Sequence, residues 1–457
     1  MSTTIAAIST AVSSSGIGII RISGPESMEV IDRIYRSKNG KKKIKEVSTH
    51  TIHYGYIYDK DELIDEVLVM IMKAPRTFTG EDTVEIDCHG GVFTCKKVLE
   101  TVLKNGAKIA EPGEFTKRAF LNGRLDLSQA EAVMDVIQSK NEYALKSSME
   151  QLKGSVHRAI KEIRSKLIYH IAYIESALDD PEHISLDGYA EELDSVVGDI
   201  QFQIKHLLDT AEDGKIMQEG IKTVILGKPN AGKSSLLNLM VGEEKAIVTD
   251  IAGTTRDILE EYISLHGITL RIIDTAGIRD TEDIVEKIGV NRAKQIADDA
   301  DLILFVVDSS RKMDENDEMI IEMLQNKNAI VLYNKTDLES AVDIEMLQEK
   351  TGHPVIPISA KEERGIDELE EKIREMFFTG NISFNDEVYI TNARHKEALR
   401  EALESLNMVE KSIQMGMPED FYSIDLMSAY ENLGKITGES VGEDLVNEIF
   451  SKFCMGK

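Results

Sequence analysis

The rhythm of apolar and polar residues changes three times along the chain. Up to about residue 118 the apolar residues come in short β-branched runs: "GIGIIRISG", "HTIHYGYIYD", "EVLVMIMKA" and "DTVEIDCHGG". Each run is bounded by Gly, Asp or Pro, which predicts strands. One segment in this region, "GVFTCKKVLETVLKNGA", has the helical period. It sets Val92, Cys95, Val98, Leu99, Val102 and Leu103 on one face, and "NG" stops it. From Ser128 helical spacing takes over. "LSQAEAVMDVIQSKNEYALKSSMEQL" opens on Ser128-x-x-Glu131, a capping box. "VHRAIKEIRSKLIYHIAYIESAL" and "YAEELDSVVGDIQFQIKHLLDTA" continue as long amphipathic helices. At Ile221 strands and helices begin to alternate, the mark of a parallel α/β domain. The alternation ends near Phe378, after which "ARHKEALREALESLNMVEKSI" and "DLMSAYENLGKITG" return to helix. The pattern predicts a multidomain chain of α/β and all-α parts. An α+β domain spans 1–118, and a helical domain is split between 119–220 and 379–457 by an inserted α/β domain at 221–378.

At 457 residues the chain exceeds one ordinary core, and about two to four domains are expected. The longest clean apolar run, "LILFVV", predicts a buried strand and falls far short of the ~18 residues that would span a membrane. The N-terminus lacks the basic region of a signal peptide. The three cysteines, Cys88, Cys95 and Cys454, have no C-x-x-C spacing. That pattern fits a reducing cytoplasm and argues against disulfides or zinc, and Cys88, His89 and Cys95 read as structural for want of a third metal ligand. The net charge of −28 repels nucleic acid on average. It is uneven: residues 1–118 hold 17 Lys and Arg against 16 Asp and Glu, and "RSKNGKKKIK", Arg36 to Lys45, packs six positive charges. Any contact with nucleic acid is therefore local.

The α/β segment carries the chemistry. "TVILGKPNAGKSSLLNLM" reads as strand, Gly-rich loop and helix, and satisfies G-x-x-x-x-G-K-[ST] from Gly227 to Ser234. Asn230, Ala231, Gly232, Lys233, Ser234 and Ser235 form its phosphate-binding end. Backbone N–H groups there curl round a phosphate at a helix N-terminus, Lys233 reaches the β and γ phosphates, and Ser234 takes Mg²⁺. "LRIIDTAG" ends a strand in Asp274, Thr275, Ala276 and Gly277, with Asp274 placed for Mg²⁺ and Gly277 for the γ phosphate. "AIVLYNKTD" supplies Asn334, Lys335, Thr336 and Asp337, and "IPISAK" supplies Ser359, Ala360 and Lys361. Asp337 decides the base, because a carboxylate only accepts and so matches the N1–H and N2–H₂ donors of guanine. This order of motifs resembles the translation-factor-type GTPases. The Gln that orients water in Ras-like proteins is replaced by Ile278. Arg256, Arg279, a monovalent cation or a more distant acid is left to do that work. "TDIAGTTRD" reads as a switch loop with Thr255 on Mg²⁺, and it is rich in the oxygens that K⁺ prefers, to which Asn230 can add an amide oxygen.

With "GIGIIRISGP", "TFTGEDTVEIDCHGG", "PGEFTKRAFLNGRLDLSQAEA", the four nucleotide motifs and a terminal Cys-x-Gly-Lys, the chain resembles the MnmE (TrmE) family along its full length. These are GTPases of tRNA wobble-uridine modification. The resemblance implies an N-terminal folate-binding and dimerisation domain, a central helical domain and an inserted GTPase domain. It implies a cytoplasmic homodimer that works with an FAD-containing partner, MnmG (GidA), to place an aminomethyl-type group on C5 of the wobble uridine. A 5-formyl- or 5,10-methylene-tetrahydrofolate would carry the one-carbon unit. K⁺ would pair the GTPase domains and activate hydrolysis. Carried onto this sequence, K⁺ falls to Asn230, Thr249, Ile251 and Thr254, Mg²⁺ to Ser234 and Thr255, and GTP also to Asp250, Ala252 and Gly253. Glu286 is the implied water-orienting acid. Arg21, Glu81, Arg124 and Lys457 are the implied folate contacts. A pterin edge shows the same donor pair as guanine, so Glu81 suits it as Asp337 suits the base.

Two other classes compete. An Era-like ribosome-assembly GTPase would carry an RNA module such as KH, whose loop needs Gly-x-x-Gly, and no two glycines here have that spacing. A lipid-anchored signalling GTPase rests on Cys454 alone. Gly456 and Lys457 fill the last two places of the tail, where a prenylation box needs other residues. Lys452 and Lys457 flank Cys454 and favour its thiolate. Gly456 gives the backbone room to approach a ligand, and Phe453 can anchor the tail in apolar surface. Beside an implied folate site, Cys454 would act in tRNA modification.

Overall fold

The structure is a computed structural model and describes residues 3–38, 43–243, 261–265, 268–273, 290–377, 388–454 and 456. The chain divides into two compact units. One joins Met1–Ile137, Gln151–Val197 and Glu401–Lys457; the other joins Gln138–Glu150 and Gly198–Arg400.

The first unit is built on β1 (Ile5–Ile8), β2 (Ile17–Ser23), β3 (Tyr35–Ser37), β4 (Thr51–Asp59), β5 (Glu62–Met72), β6 (Thr83–His89) and β7 (Lys108–Ile109). They form one sheet in the order β3-β4-β5-β6-β2-β1-β7, antiparallel except where β7 meets β1. The pleat sends Ala6, Ile20, Ile22, Val69, Ile71, Val84 and Ile86 to one face. There they join Met28, Val30, Ile31 and Ile34 of α1 (Ser27–Ile34) and Cys95, Val98 and Val102 of α2 (Val92–Lys104). On the other face Phe115 of α3 (Glu114–Leu121) packs with Ile5 and Ala7 of β1. Toward β4 and β5 that second face is open, with Ile52, Tyr54 and Leu68 exposed. The four expected strands and α2 are present. The patterning does not foresee β1, β3, β7, α1 or α3, because none is long enough to show a period.

The helical segments give α4 (Leu127–Gln138), α5 (Glu142–Leu152), α6 (Ser155–Asp179), α7 (Tyr189–Glu219), α13 (Ala393–Gln414), α14 (Glu419–Thr437) and α15 (Glu443–Ser451). The capping box expected at Ser128 lies two residues earlier. Asp126 accepts the N–H of Gln129 at 3.0 Å, and the Gln129 side chain accepts the N–H of Asp126 at 3.1 Å. Ser128 is buried inside the helix and donates to the Asp126 carboxylate. Asp accepts as well as Ser does and precedes the apolar run, so it takes the cap. The stretch read as one helix also breaks before Ala144, whose N–H the Asn141 side chain accepts at 2.7 Å. α6 packs along α14, with Ile160, Ile163, Leu167 and Leu426, Ala429, Leu433 all buried.

The second unit holds β8 (Ile221–Leu226), β9 (Glu261–Leu265), β10 (Ile268–Ile272), β11 (Leu302–Asp308), β12 (Ala329–Asn334) and β13 (Val355–Pro357). Their order is β13-β12-β11-β8-β10-β9, parallel throughout except for the antiparallel β9–β10 pair. Helices α8 (Lys233–Glu243), α9 (Val290–Asp299), α10 (Glu315–Met323), α11 (Ile344–Thr351) and α12 (Ile366–Phe377) alternate with the strands. Buried apolar clusters form from the strand residues, one around Leu236, Leu304 and Leu369 and another around Phe305, Ile320 and Leu347. The run read as a buried strand is β11, buried at every position. The fold is multidomain, with α/β and helical parts, as the patterning predicts. Among the described residues no helix is long and apolar enough to cross a membrane.

Candidate functional site

In a parallel sheet the ligand crevice lies beyond the carboxyl ends of the strands, and three such ends meet here. β8 runs into the Gly-rich loop and α8, β11 ends at Asp308, and β12 ends at Asn334 directly opposite Asp308 in the register. Asn230 takes the left-handed conformation at φ 63°, which Asn tolerates better than other side chains. Lys233 is buried and donates to the carbonyls of Gly227 and Lys228, so its ammonium is held in the curl of the loop. Ser234 and Ser235 stand exposed in the first turn of α8, where a helix N-terminus favours anions.

The segments around Asn334 and Ser359 are tied to this loop by two side chains. Asn334 donates to the Ala231 carbonyl at 2.8 Å and accepts the Ala360 N–H at 3.2 Å. Lys335, itself left-handed at φ 69°, donates to the Asn230 carbonyl at 2.8 Å and pairs with Asp308 at 2.6 Å. Burial alone would raise the Asp308 carboxyl, but the bonds from Lys335 and Ser310 bring it below its ordinary value. Thr336 donates to the Ile358 carbonyl at 3.0 Å. The Ser359 hydroxyl donates to Asp337 at 2.8 Å and lowers its carboxyl, so Asp337 is anionic at neutral pH and can accept from a ligand. Lys361 is exposed beside it. Asp308 was not singled out by the motif reading. A buried apolar run ending in a lone carboxylate was the signal for it. Thr249, Asp250, Ile251, Ala252, Gly253, Thr254, Thr255, Asp274, Thr275, Ala276, Gly277 and Glu286 lie outside the described residues, as does Lys457.

A second cluster lies in the first unit, where the C-terminal tail reaches the N-terminal sheet. Arg21 pairs with Glu85 at 2.7 Å and donates to the Gly456 carbonyl at 3.2 Å, which also accepts from Ser9 at 3.1 Å. The Cys454 carbonyl accepts the Gly113 N–H at 3.3 Å, and the Cys454 side chain is exposed. Phe453 is buried against Phe450, ring centres 5.0 Å apart, which is the anchoring expected of it. The room at Gly456 serves a different neighbour from the one expected. At φ 84° a Cβ there would sit 2.4 Å from the Ile8 carbonyl, so the glycine lets the tail lie against β1. Glu81 accepts from Ser23 at 2.9 Å and from Arg118 at 3.1 and 3.3 Å. Arg118 also holds Glu114 at 2.7 Å. Arg21 and Arg124 share the Phe78 ring, at 5.9 and 5.2 Å from its centre. Phe78 thus joins Arg21 to Arg124, Ser9 and Arg21 hold the tail, and Ser23 and Arg118 fix Glu81; Phe78, Ser9, Ser23 and Arg118 were not picked out individually from the sequence.

Gly113 makes the seating of the tail testable. Its φ is 68°, and an added Cβ would fall 2.5 Å from the Phe450 carbonyl and 2.8 Å from Phe453. Gly113→Ala should destabilise this unit by about 1–3 kcal/mol. Chemical denaturation of the full chain measures it, and an unchanged midpoint would contradict the close approach.

The sequence model described as the MnmE helical domain matches residues 127–454, and that described as the GTP-binding protein TrmE N-terminus matches residues 4–124. The chain is 60% identical over 455 residues to the tRNA modification GTPase MnmE of Lachnoclostridium phytofermentans, covering 99% of each. The chain belongs to the MnmE family of tRNA modification GTPases. The MnmE protein of Listeria innocua is 48% identical over 456 residues, covering 99% of each chain. That of Bacillus subtilis is 47% identical over 458 residues, covering 99% of this chain and all of the relative. The resemblance read from the motifs is therefore borne out, and the chain is a GTP hydrolase of the MnmE family.

Proposed function

We propose that this MnmE-family GTPase couples GTP hydrolysis to the addition of an aminomethyl-type group at C5 of the wobble uridine of tRNA, together with an FAD-containing partner of the MnmG type. Residues 1–118 would bind folate and dimerise, 221–378 would hydrolyse GTP, and 119–220 with 379–457 would carry the helical domain and tail. The observation that carries this reading is the seating of the tail in the N-terminal cluster, where Gly113 donates to the Cys454 carbonyl and Arg21 to the Gly456 carbonyl. A GTPase switch without covalent chemistry has no use for an exposed thiol on a tail bound by an arginine that is itself paired with a carboxylate.

The residues present fit a folate. Glu81 is fixed by Arg118 and Ser23, and a carboxylate so held suits the donor pair of a pterin. Arg21 and Arg124, both over Phe78, suit an anionic tail or a carbonyl. A bound folate would supply the one-carbon unit, and this chain's residues would orient it and keep a thiol within the same cluster. Ser234, exposed at the start of α8, and Thr255 would hold Mg²⁺. Asn230, Thr249, Ile251 and Thr254 would hold K⁺, and Glu286 would orient water. The protein would work in the cytoplasm as a homodimer.

Mass spectrometry of wobble uridines in cells lacking the protein tests the modification. Unmodified C5 positions are expected, and a normal nucleoside profile would refute it. The hydrolysis part predicts a GTPase rate several-fold higher in K⁺ than in Na⁺, with specific activity rising with protein concentration until pairing saturates. Equal rates in the two salts would remove K⁺ from the mechanism.

A further inference from the structure

The phosphate loop is fastened to the fold by a residue outside its motif positions. Lys228 follows Gly227, and its ammonium pairs with Asp317 at 2.7 Å and with Asp314 at 2.9 Å. Those two carboxylates form the capping box of α10. Asp314 accepts the N–H groups of Asn316 and Asp317, and Asp317 accepts the N–H of Asp314 at 3.0 Å. The Asp317 side chain is 2% exposed and that of Lys228 15%, so solvent screens the pair little. Burial alone would lower the Lys228 ammonium, but the bonds to Asp317 and Asp314 raise it above its ordinary value and hold it charged. Among the described residues Lys228 is the only cation paired with Asp317, whose second oxygen has no hydrogen-bond partner there.

The backbone of the same residue meets the phosphate-binding lysine. The Lys228 carbonyl accepts from the Lys233 ammonium at 2.9 Å, beside the Gly227 carbonyl, which accepts from the same group. Lys233 is the residue that the motif assigns to the β and γ phosphates. The loop around it takes a positive φ three times, 151° at Gly227, 63° at Asn230 and 106° at Gly232. A backbone of that kind has no ladder of its own to keep its shape, and side chains must hold it. Asn334 and Lys335 hold the Ala231 and Asn230 carbonyls. Lys228 adds a separate tie to α10, which is itself fixed in the apolar core through Ile320 and Ile321.

We propose that Lys228 is a positioning residue for GTP: clamped between Asp314 and Asp317, it fixes the carbonyl that aims the Lys233 ammonium at the β and γ phosphates. The proposal rests on the reading of this loop as the nucleotide site and adds the anchor that keeps it in shape. Lys228 acts through Lys233, with its own ammonium turned to the carboxylates of α10. Without the anchor the ligand must order the loop itself, and that ordering weakens binding.

The test measures KM and kcat for GTP, affinity for a non-hydrolysable GTP analogue and melting temperature, all on the full-length chain. Lys228→Met should raise KM and weaken the analogue by about tenfold, the size of one weakened charged hydrogen bond, with a smaller change in kcat. It also leaves Asp317 buried and unpaired, so its melting temperature should fall. The joint Lys228→Met and Asp317→Asn variant removes that buried charge and keeps an acceptor for the Asp314 N–H. Its melting temperature should recover while KM stays high. Lys228→Arg, which keeps donors for both carboxylates, should have the wild-type KM. KM and analogue affinity unchanged in Lys228→Met overturn the proposal, as does an arginine variant no better than the methionine one. A double variant whose KM recovers together with its melting temperature reduces the pair to stability and overturns it too. Should Lys228→Met fail to fold, the double variant decides by the same criterion. Lys233→Ala that binds the analogue as wild type does would instead overturn the reading of the loop as the nucleotide site.

Discussion

Cys454→Ser should abolish wobble-uridine modification while leaving GTP turnover and melting temperature near wild type. The thiol is exposed, so the substitution removes little packing. Its backbone contact, the bond from the Gly113 N–H to its carbonyl, does not depend on the side chain. A serine hydroxyl keeps the size but gives up the acidity and nucleophilicity of sulfur, so a role as nucleophile or proton carrier should fall by a factor of about 10² or more. The proposed nucleotide site is a separate set of residues, at the carboxyl ends of β8, β11 and β12. The measurement is the modified fraction of the wobble position beside the GTPase rate of the same preparation. A serine variant that modifies tRNA normally makes Cys454 a bystander. One that loses both activities points to a structural role for the tail.

Asp337→Asn should exchange the base preference. Ser359 donates to one carboxylate oxygen of Asp337 and holds the group ionised. Asparagine keeps one acceptor but presents an amide N–H where guanine also donates. Losing a charged contact and opposing two donors should weaken GTP by tenfold to a hundredfold, on the order of one lost charged hydrogen bond. Xanthosine triphosphate offers a carbonyl at C2 and should gain. The same bond gives a pH dependence. The Asp337 carboxyl lies below its ordinary value, so GTP recognition by the wild type should hold through mildly acidic pH and fail only as pH falls through that lowered value. A competition assay between the two triphosphates decides the assignment, and an unchanged preference in the variant would falsify it.

The sequence by itself determined what is written in contiguous residues. The phosphate loop from Gly227 to Ser234 is legible because a strand, a glycine-rich turn and a helix N-terminus follow one another, and their spacing is the geometry of the site. The strands β2, β4, β5 and β6 and the helix α2 are legible because each is long enough for its period to show. Asp126 shows the limit of such reading: three residues near one helix start can accept a backbone N–H, and only the fold decides which of them caps it.

Tertiary structure alone decided which distant residues meet. Arg21 and Gly456 are 435 positions apart, and no local pattern pairs them. The tail reaches β1 because Phe453 is buried beside Phe450 and because Gly456 and Gly113 permit a backbone approach that a Cβ would block. The fixing of Glu81 by Arg118 and the lock of Lys335 on Asp308 have the same cause. Charged groups have no period along the chain, and they choose partners only after strand register and helix packing have brought their backbones together.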